Sequence, residues 1–355
     1  MAKKGIFHKK SILITGGTGS LGKILTKRIL SGEEGTPKKV IIFSRDEAKQ
    51  HYMRVEYETR KNPTDEIIYN NFKKILEFRI GDVRDFQSVK SAIDGIDIIV
   101  SAAALKQVPS CEYFPWEATQ TNVMGAENLV RAIKNSHHNI ETVVGVSTDK
   151  ACKPVNVMGM TKAIQERVFV AANITIPKTR FVLVRYGNVL ASRGSVIPLF
   201  HEQIENGGRV TVTTKDMTRF LLPLDKAVDT IFATIKSAKR GETFIPIVPS
   251  FKIINVAKAL VGTRDIKIEI TGIRPGEKID EILISEEEAF RTVKRGKYYA
   301  ILPMLPELVD RKIKPALNKE YSSADNSMTL EETKNLLNKH KLMVGQTKMS
   351  GEFLK

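Results

Sequence analysis

Asp149 and Lys150 stand side by side in the stretch Ser147–Lys162, STDKACKPVNVMGMTK. A carboxyl and an amine on adjacent residues can give and take protons at neighbouring positions of a bound substrate. As ions they attract each other, so they are expected to titrate as a pair. Placement directly after a predicted strand end favours chemistry over an ion pair on an exposed loop. A Lys base needs a lowered pKa, which nearby Lys162 and a closed pocket would favour; an Asp acid needs the opposite shift. Lys162 follows Met158 by one helical turn and so shares its side of the helix. Met158 has no proton to exchange, and either shapes a pocket or packs the core.

Upstream, Ile12–Thr15 and the run Gly16-Gly17-Thr18-Gly19-Ser20-Leu21-Gly22 read as strand, glycine turn and helix. Gly16, Gly19 and Gly22 recur every third residue, slightly unlike the G-x-G-x-x-G of ordinary dinucleotide folds. They allow a tight turn, backbone amides close to a pyrophosphate, and a helix N-terminus facing its charge. Residues Gly16, Thr18, Gly19, Ser20, Leu21 and Gly22 are therefore the predicted phosphate cradle. Ser44 and Arg45 occupy the next strand tip, with Lys49 one turn on. An acidic residue there would suit NAD, whereas Arg accommodates a 2′-phosphate, so NADP is expected over NAD. Asp46 is expected to cap the following helix. Asp82 and Val83 are placed to meet the adenine, and Ala102, Ala103 and Ala104 let the backbone approach the cofactor. Asn122, in an otherwise apolar helix, is expected to bridge backbone groups.

The elements that must position these groups alternate. Ser11–Thr15, Val40–Phe43, Leu76–Ile80, Ile98–Ala102, Val143–Val146 and Phe181–Arg185 read as buried parallel strands. Helical spacing marks Leu21–Leu30, Glu47–Arg60, Ser88–Ile93, Trp116–Lys134 and Met158–Ala172 between them. This predicts an α/β, Rossmann-like doubly wound parallel sheet with ligands at the carboxyl ends of its strands. Residues 1–188 form the expected dinucleotide domain. Residues 189–316 form a smaller α/β substrate lid partly interleaved with it, and 317–355 a loosely held tail. Lys61–Asn71 reads as a polar insertion.

The 355 residues can bury a full core, and the net charge of +16 is spread along the chain, as in Lys38-Lys39, Lys73-Lys74 and Lys239-Arg240. A nucleic-acid binder would gather that charge into a stripe with interleaved aromatics, so no nucleic-acid role is expected. Cys111 and Cys152 lack metal-ligand spacing and point to a reducing compartment and no metal site. No signal peptide is visible, and the longest apolar run, Ile96–Leu105, contains Asp97 and is too short to span a bilayer. A cytoplasmic enzyme is expected.

Together these pieces resemble the extended short-chain dehydrogenase/reductases. Within them they resemble the polysaccharide-biosynthesis group of UDP-N-acetylglucosamine 4,6-dehydratases. The resemblance rests on TGGTGSLG (Thr15–Gly22), FSRDE (Phe43–Glu47), GDVRD (Gly81–Asp85), AAALKQVP (Ala102–Pro109) and STDKA (Ser147–Ala151). It continues through RYGNVLASRGSVIP (Arg185–Pro198), MTRF (Met217–Phe220) and RPGEK (Arg274–Lys278). Met158 departs from the usual Tyr of a Tyr-x-x-x-Lys pair and resembles the C5-inverting subgroup, which feeds L-sugar branches of capsule and O-antigen synthesis.

The resemblance implies hydride transfer from C4 of the sugar to NADP, loss of the C6 hydroxyl as water, and hydride return to C6. It gives Lys150 as C5 base and Asp149 as acid for the leaving hydroxyl. Lys162 would bond the nicotinamide ribose and polarise the C4 oxygen. The C4 hydroxyl proton is left to Lys162, Lys150 or Thr148. Lys106, Asn188, Arg219, Arg274 and Glu277 are the expected ligands of the UDP-sugar substrate, with Ser195 and Val196 lining the uracil pocket. A homo-oligomer, a hexamer among the options, is implied. Two other readings compete: a UDP-sugar 4-epimerase acting on UDP-glucose or UDP-N-acetylglucosamine, and an inactive NADP-binding sensor. The Asp149–Lys150 pair argues against both.

Overall fold

The computed structural model describes residues 5–58, 72–190, 195–309 and 314–346, and short backbone stretches beyond; the insertion at 61–71 lies outside these. Strands β1 (Ser11–Thr15), β2 (Lys39–Ser44), β3 (Leu76–Ile80), β4 (Ile98–Ser101), β5 (Thr142–Thr148) and β6 (Arg180–Tyr186) run parallel. β10 (Thr243–Pro246) pairs with β6 in parallel, and β15 (Tyr298–Ile301) and β14 (Thr292–Arg295) complete the sheet antiparallel. The nine strands stand in the order β14-β15-β10-β6-β5-β4-β1-β2-β3. Strand order reverses between β1 and β4, so a crevice opens there at the carboxyl ends. The expected doubly wound α/β sheet is present.

Alternation explains why the strands read as unbroken apolar runs. Ile12 and Ile14 of β1 join Leu25, Ile29 and Ile231 on one face, while Leu13 joins Ile99, Leu129 and Phe181 on the other. Both faces of the inner strands are dry because helices cover both, but edge strand β3, expected to be buried, is only partly so, with Glu77 and Ile80 exposed. Helices α1 (Ser20–Leu30), α2 (Glu47–Glu58), α3 (Phe86–Ala92), α4 (Val108–Tyr113), α5 (Pro115–Thr119), α6 (Gly125–Lys134) and α7 (Val157–Thr175) follow in order.

The single helix expected over Trp116–Lys134 is broken. A π-helical turn at Gln120–Met124 separates α5 from α6. Within it Asn122 accepts from the Leu105 amide at 2.9 Å and donates to the Leu105 carbonyl at 3.0 Å. That is the backbone-bridging role expected of this residue, and it anchors the chain leaving β4.

The later chain builds a second layer. β7 (Asn188–Val189), β9 (Thr218–Leu222), β11 (Ser250–Lys252) and β17 (Ser327–Met328) form a four-stranded sheet, while β8 (Val210–Val212) pairs with β12 (Ile268–Ile270). α8 (Val196–Glu205) and α10 (Ile253–Val261) pack on it, with α9 (Leu224–Ser237) returning to the main core. The loosely held tail is corrected over its described part. β13 (Ile282–Ile284) pairs with β16 (Tyr321–Ser322), and helix α12 (Leu330–Lys339) opens on a capping box between Thr329 and Glu332. Leu337 and Leu342 are buried against Phe200, Val256 and Leu260. An apolar stripe of α12 drives this docking.

Candidate active site

At the carboxyl ends of β1 to β4 lies a cleft of about 430 Å3. Its walls include Gly16, Thr18, Gly19, Ser20, Leu21, Gly22, Ser44, Arg45, Lys49, Asp82, Val83, Ala102, Ala103 and Lys106. Every residue expected to hold the cofactor except Lys162 is thus gathered in one place, and Gly81, Ala104 and Thr121 join them. Gly16 has φ +67°, and a Cβ there would stand 2.8 Å from the Ala103 backbone. Only glycine lets the two strand ends approach so closely. No side chain caps the N-terminus of α1, leaving its amides to the cleft.

Arg45 Nη1 stands 3.7 Å from Asp82 Oδ2, and Lys49 pairs with Asp46 at 2.8 Å. Asp46 Oδ1 accepts from the Lys49 amide, the capping expected of it. Asp82 also holds Arg84 through Nε at 2.8 Å and through its amide at 2.9 Å. Burial pushes the Asp82 carboxyl up, but the Arg84 hydrogen bonds and charge prevail and leave it below its ordinary range. The cleft tip is therefore a fixed carboxylate between two guanidinium groups.

Asp149 and Lys150 follow the end of β5, the neighbour of β4 in the sheet, and are not among the residues that line the cleft. Asp149 is fully buried, and its Oδ1 accepts from Lys150 Nζ at 3.0 Å and from Thr148 Oγ1 at 2.8 Å. Asp149 Oδ2 has no partner although it is buried. Lys150 also meets Glu281 Oε1 at 3.2 Å. The expected lowering of the Lys150 pKa is reversed. Burial lowers it, yet the charges of Asp149 and Glu281 outweigh burial and raise it. Lys162 shows the lowered value instead, about 8, because burial is opposed only by Glu166. Its Nζ donates to the Val146 carbonyl at 2.6 Å and to Gln165.

Helix α7 is held against this pair. Asn156 caps it through the Gly159 amide at 2.8 Å and donates to the Gly276 carbonyl at 2.8 Å. A Cβ on Gly159 would lie 2.2 Å from the Lys150 carbonyl, so glycine is required for the helix to lie on the loop. Met158 is buried with Cys111 and Ala118, beside Leu105 and Val108. It packs the foot of α7.

The expected substrate ligands divide. Asn188 Oδ1, Ser195 Oγ and Glu277 Oε2 are buried without partners, as groups awaiting a polar ligand would be. Arg274 is exposed, and Val196 begins α8 half-buried. Arg219 directs its Nη atoms to the carbonyls of Thr218, Ile279 and Lys278 at 2.6–2.9 Å, committing them to the loop that carries Glu281. The middle of the RYGNVLASRGSVIP segment, 191–194, lies outside the described residues. Sequence reasoning missed Glu281 and the tether from Asn156. Glu281 lies three residues beyond RPGEK, and nothing in its local pattern marks it.

This Rossmann-like sheet, its glycine turn and the loop after β5 define a short-chain dehydrogenase/reductase. Comparison then gives the family: the profile described as polysaccharide biosynthesis protein matches residues 12–303, and the chain belongs to that family. It is 41% identical to the UDP-N-acetylglucosamine 4,6-dehydratase (inverting) of Campylobacter jejuni (strain 81-176) over 316 residues, 88% of each chain. It is also 41% identical to a UDP-glucose 4-epimerase of Rickettsia bellii (strain RML369-C) over 344 residues, 94% of this chain and 96% of the other. Among solved structures, Pen from Bacillus thuringiensis aligns with TM-score 0.84 at 34% identity, covering 95% of this chain and 99% of that one. The chain is an enzyme of the nucleotide-sugar dehydratase and epimerase class. No described helix is long and apolar enough to cross a membrane, and no described cluster of His, Cys, Asp and Glu could hold a metal ion.

Proposed function

We propose that the protein is an NADP-dependent, C5-inverting 4,6-dehydratase of UDP-N-acetylglucosamine, yielding a UDP-2-acetamido-2,6-dideoxy-4-hexulose. The observation that carries this reading is the pair of buried Asp149 and half-buried Lys150, 3.0 Å apart at the end of β5. The cradle at Gly16 and the basic groups Arg45 and Lys49 fit a dinucleotide with a 2′-phosphate. When bound, its nicotinamide supplies reversible hydride storage.

Lys150 is an ammonium as it stands, so it must lose a proton before it can accept one from C5. Transfer from Lys150 Nζ to Asp149 Oδ1 leaves a neutral amine and a carboxylic acid. These are the two forms that elimination of water needs, one taking the C5 proton and the other protonating the departing C6 oxygen. Thr148 steadies the carboxylate, and Met158 supplies packing without proton chemistry. Lys162, Lys150 and Thr148 are the groups at hand for the C4 proton. Asn188, Ser195, Glu277, Lys106 and Arg274 are the proposed hydrogen-bond partners of the UDP-sugar.

Incubation with UDP-N-acetylglucosamine and NADP in deuterated water tests the proposal. Dehydration gives a product lighter by one water and deuterated at C5. An unchanged mass with inverted C4 would establish the 4-epimerase reading that the Rickettsia relatives' names suggest, and untouched substrate would mean a sensor.

A further inference from the structure

Glu281 reaches the Lys150 amine from a distant part of the chain. Its Oε1 lies 3.2 Å from Nζ, its side chain is 3% exposed, and its Oε2 has no partner. The backbone is pinned on both sides by one residue of the C-terminal segment. The Glu281 amide donates to Ser323 Oγ at 2.8 Å, and the Ser323 amide donates to the Glu281 carbonyl at 2.8 Å. Ser323 Oγ in turn meets Thr218 Oγ1 at 2.6 Å, and that hydroxyl donates to Asp280 at 2.6 Å. Arg219 Nε stands 3.8 Å from Glu281 Oε1 while its Nη atoms hold the Lys278 and Ile279 carbonyls. A second carboxylate buried at one amine is costly to keep, and here several segments cooperate to keep it.

We propose that Glu281 is a positioning residue which, opposite Asp149, fixes the place of the Lys150 amine and holds its proton. The inference deepens the proposed dehydration and rests on Lys150 as the group that takes the C5 proton. The charges facing Lys150 are the attracting carboxylates of Asp149 and Glu281 and the repelling guanidinium of Arg219, with Lys278 beside Glu281. Removing one of two attracting carboxylates weakens the hold on the amine's proton. Burial then counts for more, and the neutral form appears at lower pH.

The test compares full-length wild type, Glu281→Gln and Glu281→Asp. Lysine Nζ labelled with nitrogen-15 is titrated by NMR without substrate, and Lys150→Arg assigns the signal. In Glu281→Gln the Lys150 midpoint is expected to fall by about one pH unit or more, while Glu281→Asp, which retains the charge, stays near wild type. The upper, descending limb of kcat/KM for dehydration, where the pair loses the proton that Lys150 passes to Asp149, should move down with it. An unmoved or raised midpoint in folded Glu281→Gln overturns the inference. If that variant does not fold, Ser323→Ala serves: it loosens the Glu281 backbone with its charge intact, and an unchanged limb there overturns the proposal equally. A lowered amine midpoint in a protein that never dehydrates the sugar would uphold the Glu281–Lys150 coupling and sink the dehydratase reading.

Discussion

Two buried clusters lie close together in this molecule, each with one cation between two carboxylates, and they are finished differently. Arg185 meets Glu166 through Nε at 3.0 Å and Nη2 at 2.6 Å, and meets Glu288 through Nη1 at 2.7 Å and Nη2 at 3.0 Å. Ser147 Oγ donates to Glu166, and the Ser285 amide to Glu288. Every carboxylate oxygen there has a donor. Around Lys150, by contrast, Asp149 Oδ2 and Glu281 Oε2 are left without one. The planar guanidinium closes a fork on each neighbour, whereas a point-like ammonium leaves lone pairs over. A complete network holds α7 to β6 and to the helical turn at Glu286–Ala289. The incomplete one follows the carboxyl end of β5, and its two unsatisfied oxygens belong to the carboxylates that meet the amine of the proposed proton chemistry.

The comparison breaks most sharply at Lys150. Lys150→Ala should lower the dehydration rate by about 10^2–10^4-fold, the range for loss of an acid–base group, with C5 deuteration lost and NADP still bound. Normal deuteration in that variant removes Lys150 from the mechanism. Arg185→Met should instead act on stability. It strands two buried glutamates, and thermal unfolding should report a loss of about 3–5 kcal/mol.

Acid titration sharpens the contrast further. Burial pushes the Glu288 carboxyl up, but Arg185 prevails and holds it at about 2, below the ordinary 4.5. Its contribution is therefore present above pH 4.5 and fades as pH falls toward 2, on the order of 3 kcal/mol in full. Glu288→Gln should flatten the stability profile across that window, and denaturant melts at several pH values can measure it. The smallest effect concerns Lys162, whose buried amine loses its proton near pH 8. If its charge polarises the C4 oxygen, activity should decline above that pH, and the residual activity of Lys162→Arg should show no such descending limb. A descending limb that persists in Lys162→Arg would assign it to another group.

The inner strands of the parallel core were legible because each is covered on both faces and so reads as a short apolar run, whereas β3 lies at the sheet edge and is partly exposed. The glycine cradle was legible because its geometry demands residues without side chains. What escaped depends on distance along the chain. The charge state of Lys150 is set partly by Glu281, which no local pattern connects to it. The break at Gln120–Met124 coincides with the bonds of Asn122 to the Leu105 backbone, tertiary contacts that no local pattern shows. Strands β16 and β17 span two residues each, too few for any period to show. The capping box at Thr329 and Glu332 was a readable signal for α12, obscured by the lysines around it.

The clasp of Ser323 on Glu281 has a consequence for how the chain comes into being. Translation delivers the glycine cradle and the first five parallel strands, then the loop with Asp149 and Lys150, then β6, and the serine that seats the second carboxylate near the finish. A ribosome-bound precursor therefore carries every residue of the glycine cradle before its lysine gains the second counter-charge.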